Sequence, residues 1–110
     1  MVERKKIVFV DDYLGLVEIL AESYSADYET KAFTNPKLAL SWIRENDVDI
    51  LVSDNSMPQM MGTELVKKVK DIKPDVHCII FTGDVSIKSE YAQVIGKDLE
   101  ELKEVIKKFS

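Results

Sequence analysis

The sequence predicts an α/β fold in which a parallel sheet is covered on both faces by helices. Three observations lead there. Short apolar runs of strand length alternate with longer stretches whose apolar residues recur at helical spacing. Two of the runs, Ile7-Val8-Phe9-Val10 and the one from Asp49 to Val52, suit strands buried on both faces. Both runs end in carboxylates, Asp11-Asp12 and Asp54, and the carboxyl ends of strands are where open α/β sheets put their ligand sites.

Taken in order, Arg4-Lys5-Lys6 leads into a first strand, Lys6 to Val10. Leu14, Val17, Leu20, Ala21 and Tyr24 then give a helix from about Leu14 to Ser25. Tyr28 to Phe33 alternates and reads as a strand near the sheet edge, because Glu29 and Lys31 interrupt it. Thr34-Asn35-Pro36 starts a second helix, with a capping side chain and Pro in the first turn. That helix is expected to carry Leu38, Ala39, Trp42 and Ile43 inward and to end by about Asn46. A third strand, Asp49 to Ser53, is followed by a loop through Pro58 to Gly62. Leu65, Val66, Val69 and Ile72 mark a third helix that stops before Pro74, since that ring disfavours helix at the residue before it. Val76 to Thr82 reads as a fourth strand. At the end of the chain Asp98 is an N-cap with an acidic residue three positions on. The terminal helix carries Leu99, Leu102, Val105, Ile106 and Phe109 on one face.

With no repeats and regular alternation, the expected topology is a flavodoxin-like doubly wound parallel sheet, order 2-1-3-4-5, in a single domain. The first and third strands are then neighbours, and Asp11, Asp12 and Asp54 converge in one crevice. One interval is too short for a regular five-fold alternation. A fifth strand, Tyr91 to Ile95, leaves Gly83 to Glu90 for the crossover, whereas such crossovers take about 10–12 residues or more, helix included. The fourth crossover helix is therefore expected to be absent or reduced to one turn. A fifth strand swapped in from a neighbouring chain is the alternative, so a swapped or otherwise non-standard dimer stays open.

Composition sets bounds. A chain of 110 residues with 45% hydrophobic and 32% charged residues is expected to be one globular domain over 1–110, with no output domain. Its net charge of −5 speaks against nucleic acid as a partner. No apolar run approaches the roughly 18–20 residues of a membrane span. A single cysteine fits a reducing compartment, and the expected location is the cytoplasm. Lone His77 at a strand start is expected to be structural or solvated, Cys78 to pack as a small apolar residue, and Trp42 to be core or a partly covered surface anchor.

The carboxylates carry the chemistry. Aspartates after strands often only cap a helix, but three together are costly. Two carboxylates about 4 Å apart repel by about 4 kcal/mol at an effective dielectric near 20. A divalent cation removes that penalty, and oxygen-only ligands favour hard Mg²⁺. A carboxylate can also act as a nucleophile, forming an aspartyl phosphate.

Several segments at these spacings resemble the receiver domain of two-component response regulators. They are Val8-Phe9-Val10-Asp11-Asp12, Ser53-Asp54-Asn55-Ser56-Met57-Pro58 with Met60-Met61-Gly62, Thr82-Gly83, and Asp98-Leu99-Glu100-Glu101-Leu102. The resemblance implies that Asp54 is the phosphoacceptor, receiving its phosphoryl group from a histidine kinase, a phosphotransfer protein or a small acyl phosphate. It implies that Asp12 ligates Mg²⁺ directly, that Asp11 does so directly or through water, and that Asp54 and the backbone carbonyl of Ser56 complete the set. Asn55 would lie beside the phosphoryl region. Thr82 would hydrogen-bond a phosphoryl oxygen and move inward, and Tyr91 is either core of the fifth strand or a rotating switch aromatic. Output would be a changed interaction with a downstream protein target, in phosphorelay signalling. The chain would be no enzyme towards other substrates, catalysing only its own phosphorylation and dephosphorylation.

The sequence departs from that family in two places. Receivers carry a Lys, usually followed by Pro, at the end of the fifth strand. Counting back from Asp98 puts that position at Ile95, and counting on from Tyr91 puts it at Val94. Lys97 fills it only if the following loop is gapped, and no Pro comes after it. Met61 stands where the family often has Asp and is read as a packing loop residue. The alternative to a working receiver is a degenerate receiver-like interaction module that no longer switches. A phosphatase with an aspartyl nucleophile is disfavoured because Ser56 stands where that class generally has a second Asp.

Overall fold

A computed structural model describes residues 3–109 of the chain. Five parallel strands form one sheet in the order β2-β1-β3-β4-β5. They are β1 (Lys6–Val10), β2 (Glu29–Phe33), β3 (Ile50–Ser53), β4 (His77–Phe81) and β5 (Gln93–Ile95). The helices are α1 (Leu14–Tyr24), α2 (Pro36–Glu45), α3 (Gly62–Ile72) and α4 (Leu99–Lys108). The predicted order and fold class are those observed.

The period-two geometry of the strands sorts the core into two layers. Val8, Val10, Leu51, Cys78 and Ile80 point to one face, where Ala39, Leu40 and Ile43 of α2 and Leu65, Val66 and Val69 of α3 cover them. Ile7, Phe9, Ile50, Val52, Ile79 and Phe81 point to the other, under Val17 and Leu20 of α1 and Leu102, Val105 and Ile106 of α4. Strands apolar on both sides are what a sheet between two helix layers requires. Cys78 is buried in the first layer, and burial pushes its thiol up to about 11, so it packs as an inert apolar group. His77 stacks on Phe109 at 4.2 Å between ring centroids, which ties the end of α4 to the start of β4.

Helix starts follow from their caps. The Asn35 side chain accepts from the Lys37 N–H with Pro36 in the first turn, and Asp98 accepts from the N–H groups of Glu100 and Glu101. Leu38, however, is 61% exposed rather than inward. The buried stripe of α2 is Pro36, Ala39, Leu40 and Ile43, and Leu38 lies about 200° around the helix from Leu40. Trp42 is half-buried against Phe33, with the Lys31 ammonium 5.9 Å from its ring. Leu14 and Leu99 are exposed in the first turns of their helices, and Ile72 is exposed in the last turn of α3.

No helix joins β4 to β5, as the shortness of the interval predicts. The fifth strand begins at Gln93 rather than Tyr91 and is supplied by the same chain, with Ile79 opposite Gln93 and Phe81 opposite Ile95. A swapped strand is therefore not needed to complete the sheet. In place of a helix, side chains satisfy backbone donors along the crossover. The Thr82 hydroxyl accepts from the Asp84 N–H, Asp84 from the N–H and hydroxyl of Ser86, and the Ser89 hydroxyl from the Tyr91 N–H. Tyr91 is exposed and precedes β5, which removes the strand-core reading. Among the described residues no helix is long and apolar enough to cross a membrane.

Because Asp98 caps two donors at once, Asp98→Ala is expected to lower unfolding stability by about 1 kcal/mol in urea denaturation.

Candidate functional site

The site forms where β1 and β3 end side by side. Their register pairs Val10 with Ser53, so Asp11 and Asp54 leave the sheet at the same level. The Asp54 N–H donates to the Val10 carbonyl at 2.8 Å, and the Asp11 N–H to the Phe33 carbonyl at 3.1 Å. Both turns are thereby held by the neighbouring strand. Asp11, Asp12 and Asp54 each offer a carboxylate oxygen, all within 4.8 Å of one another. Asp11 is only 4% exposed, Asp54 is partly covered, and Asp12 is open to solvent. A set of hard oxygen donors with one open side fits a divalent cation such as Mg²⁺.

Lys97 reaches into this cluster. Its Nζ donates to Asp11 Oδ2 at 2.7 Å and stands 3.8 Å from Asp54 Oδ1. Two residues past the end of β5, the chain has turned far enough for the long stem to come back over the strand ends. Neither count along the sequence leads to it: Lys97 directly precedes the cap Asp98, so the loop between lysine and helix is shorter than counting back to Ile95 assumes. Asp11 also accepts the Tyr13 N–H at 2.9 Å, so this buried carboxylate has partners for both oxygens.

The electrostatics of Asp54 follow from its surroundings. Burial, first of all, raises its pKa above the ordinary carboxylate value, and the charges of Asp11 and Asp12 add to that. Lys97 and the Asn55 N–H act against the rise. Asp54 Oδ1 accepts the Asn55 N–H at 2.8 Å, which fixes the orientation of the carboxylate.

Asn55 itself is buried, and its side-chain oxygen accepts from the Thr63 N–H at 3.2 Å while its backbone carbonyl accepts from the Gly62 N–H at 2.8 Å. The first turn of α3 is thus capped from outside, because Met61 at its N-cap makes no side-chain bond. A Cβ at Gly62 would lie 2.2 Å from the Asp54 carbonyl oxygen, so glycine is required for the helix start to approach the acidic loop this closely. Ser56 lies exposed in the loop two residues past Asp54. Thr82 is buried at the end of β4, its N–H bonded to the Ile95 carbonyl. Met61 is exposed rather than packed. Tyr91 lies in the crossover, away from the carboxylate cluster in sequence and exposed. One neighbour that the sequence reading treats only as strand core is Phe81, whose ring centroid is 5.0 Å from Lys97 Nζ. A cavity of about 490 Å³ beside Lys6, Asp49 and Lys73 opens at the opposite ends of the strands and gathers no such cluster.

A five-stranded parallel sheet of this order, with an acidic crevice at its switch point and a lysine over it, defines a receiver. Residues 7–107 match the response regulator receiver domain family, and the chain belongs to that family. Sporulation initiation phosphotransferase F of Bacillus subtilis is 28% identical over 115 residues, covering 96% of this chain and 93% of that protein. Response regulator SaeR of Staphylococcus aureus is 32% identical over 94 residues, which is 84% of this chain but 41% of SaeR, so the chain spans less than half the length of that relative. Among solved structures, response regulator TrrA of Thermotoga maritima in complex with Mg²⁺-BeF superposes with a TM-score of 0.84 at 26% identity, covering 96% of this chain and 99% of that one. TrrA in complex with histidine kinase ThkA gives a TM-score of 0.81 at 26% identity, covering 96% and 97%.

Two outcomes are expected. Gly62→Ala should cost about 2 kcal/mol or more in chemical denaturation, since backbone rather than a flexible side chain stands in the way. Asp54→Asn should raise stability at neutral pH in the same measurement, because it removes a partly buried charge and its repulsion by Asp11 and Asp12 at the cost of the Lys97 attraction. The raised folded-state pKa means that the fold favours protonated Asp54. The wild type is therefore relieved at low pH and loses stability as pH rises through that pKa. The advantage of Asp54→Asn in thermal unfolding should accordingly vanish once pH falls below the unfolded value of about 3.8.

Proposed function

We propose that the chain is a phosphorylatable receiver module in which Asp54 accepts a phosphoryl group in a Mg²⁺-dependent reaction. The observation that carries the proposal is the convergence of Asp11, Asp12 and Asp54 under the Lys97 ammonium. The complexes of TrrA, one with Mg²⁺-BeF and one with histidine kinase ThkA, support it from outside the chain. The donor would be a histidine kinase or a phosphotransfer protein.

Asp11, Asp12, Asp54 and the Ser56 carbonyl are the groups that would hold Mg²⁺, which when bound supplies neutralisation of the charge on the incoming phosphoryl oxygens. Asp54 Oδ1 is held by the Asn55 N–H and faces Lys97, which leaves Oδ2 as the nucleophile. An Oδ2–P bond forms as the P–N bond to the donor imidazole breaks, and the electron pair returns to the ring nitrogen, which takes a proton. Lys97 supplies a cation next to the acceptor where negative charge accumulates. The Thr82 oxygen already accepts from Asp84, so its own proton is available to a phosphoryl oxygen. Movement of Thr82 would then disturb the capped crossover from Thr82 to Tyr91, and that surface would present the signal to a downstream protein target. With no helix between β4 and β5, such a target would meet turns and the exposed Tyr91 side chain rather than a helical face. The chain would work in the cytoplasm, without nucleic acid or membrane as a partner, and would act on no substrate besides its own phosphoryl donor.

Incubation with Mg²⁺ and acetyl phosphate should add one phosphoryl group to the wild type and none to Asp54→Asn, read by intact-mass spectrometry. No labelling from acetyl phosphate or from a phosphorylated kinase would favour instead an interaction module that has lost the switch.

A further inference from the structure

We propose that Phe81 is a positioning residue whose ring face holds the Lys97 ammonium over the carboxylates. The inference rests on the functional reading above only for its effect on phosphoryl transfer. The Lys97 backbone is held in a tight turn, the Asp98 N–H donating to the Gly96 carbonyl at 2.7 Å, and that bond leaves the long side chain free to rotate. Four rotatable bonds separate its Cα from the ammonium, and an unconstrained lysine would lose considerable rotamer entropy on settling over one site.

Phe81 is fixed where Lys97 is not. It is 2% exposed, is packed in the α1/α4 layer, and is paired with Ile95 across the β4–β5 ladder. The β3–β4 register sets Ser53 opposite Ile80, so Phe81 stands level with Asp54. From there its ring centroid lies 5.0 Å from Nζ, within the range of a cation–π contact. The ammonium is thus held on three sides, by Asp11 at 2.7 Å, Asp54 at 3.8 Å and the ring. An aliphatic residue would fill the same core volume but offer no face to a cation.

The test uses the full chain with Phe81→Leu, Lys97→Met and the double variant. In the wild type the ε-methylene proton signals of Lys97, assigned by their loss in Lys97→Met, should lie upfield of the other lysines through the ring current. They should move to the ordinary lysine position in Phe81→Leu. Ordinary positions in the wild type would overturn the proposal, and this arm requires no variant in the core to fold. In urea unfolding, the double variant should change the equilibrium constant by about two- to fivefold less than the product of the single effects. Effects that simply multiply would mean Phe81 is core alone. Phe81→Leu should also slow Asp54 labelling by acetyl phosphate about two- to fivefold. A wild type that takes no phosphoryl group would sink the functional reading, while the spectral and unfolding arms would still decide the role of Phe81.

Discussion

Parallel pairing of β1 with β3 forces two carboxylates together at the edge of a low-dielectric sheet, and the rest of the site answers that constraint. Strand register fixes Asp11 and Asp54 by main-chain bonds, so neither turn can swing away to relieve the repulsion. A cation has to come to them. In this chain Lys97 does so, from the segment that follows the edge strand β5. The same acidic geometry that makes the lysine necessary is what suits the pocket to a divalent ion.

The supporting loop is built with equal economy. Asn55 holds the Asp54 carboxylate with its N–H and the start of α3 with its side-chain and main-chain oxygens. The position of Asp54 is thereby tied to a helix packed deep in the α2/α3 layer. Glycine at position 62 is the condition for that closeness. The Asp54 carboxylate and the hydrophobic core are consequently one mechanical unit, and a disturbance at either is felt by the other.

Much of this was legible in the sequence because it is carried by local signals. Apolar runs of strand length, the capping residues Asn35 and Asp98, and the carboxylates after β1 and β3 gave the order of elements and the acidic crevice. The short Gly83–Glu90 interval foretold the missing helix by length alone. What was not legible depended on direction rather than on pattern. Leu38 sits in a helical stripe by spacing, yet faces solvent because the buried stripe of α2 runs through Leu40 instead, while Leu99 shares the buried face of α4 and is exposed because it lies in the first turn. Lys97 fits the site only through a gapped loop, and the path of the chain between Ile95 and Asp98 has no signature in residue types. Phe81 reads as one more strand residue, because nothing local says that its ring will have an ammonium above it.

The contact between Asp11 and Lys97 spans 86 positions and joins the first strand to the last loop. Peeling β5 and α4 from the sheet would remove the counter-charge as well as the packing, leaving adjacent anions facing each other at the exposed edge. Fraying of the C-terminal third is therefore opposed electrostatically as well as by lost apolar burial. The acidic pocket, destabilising by itself, acts through its lysine as a clasp that couples opening of the last elements to loss of the whole.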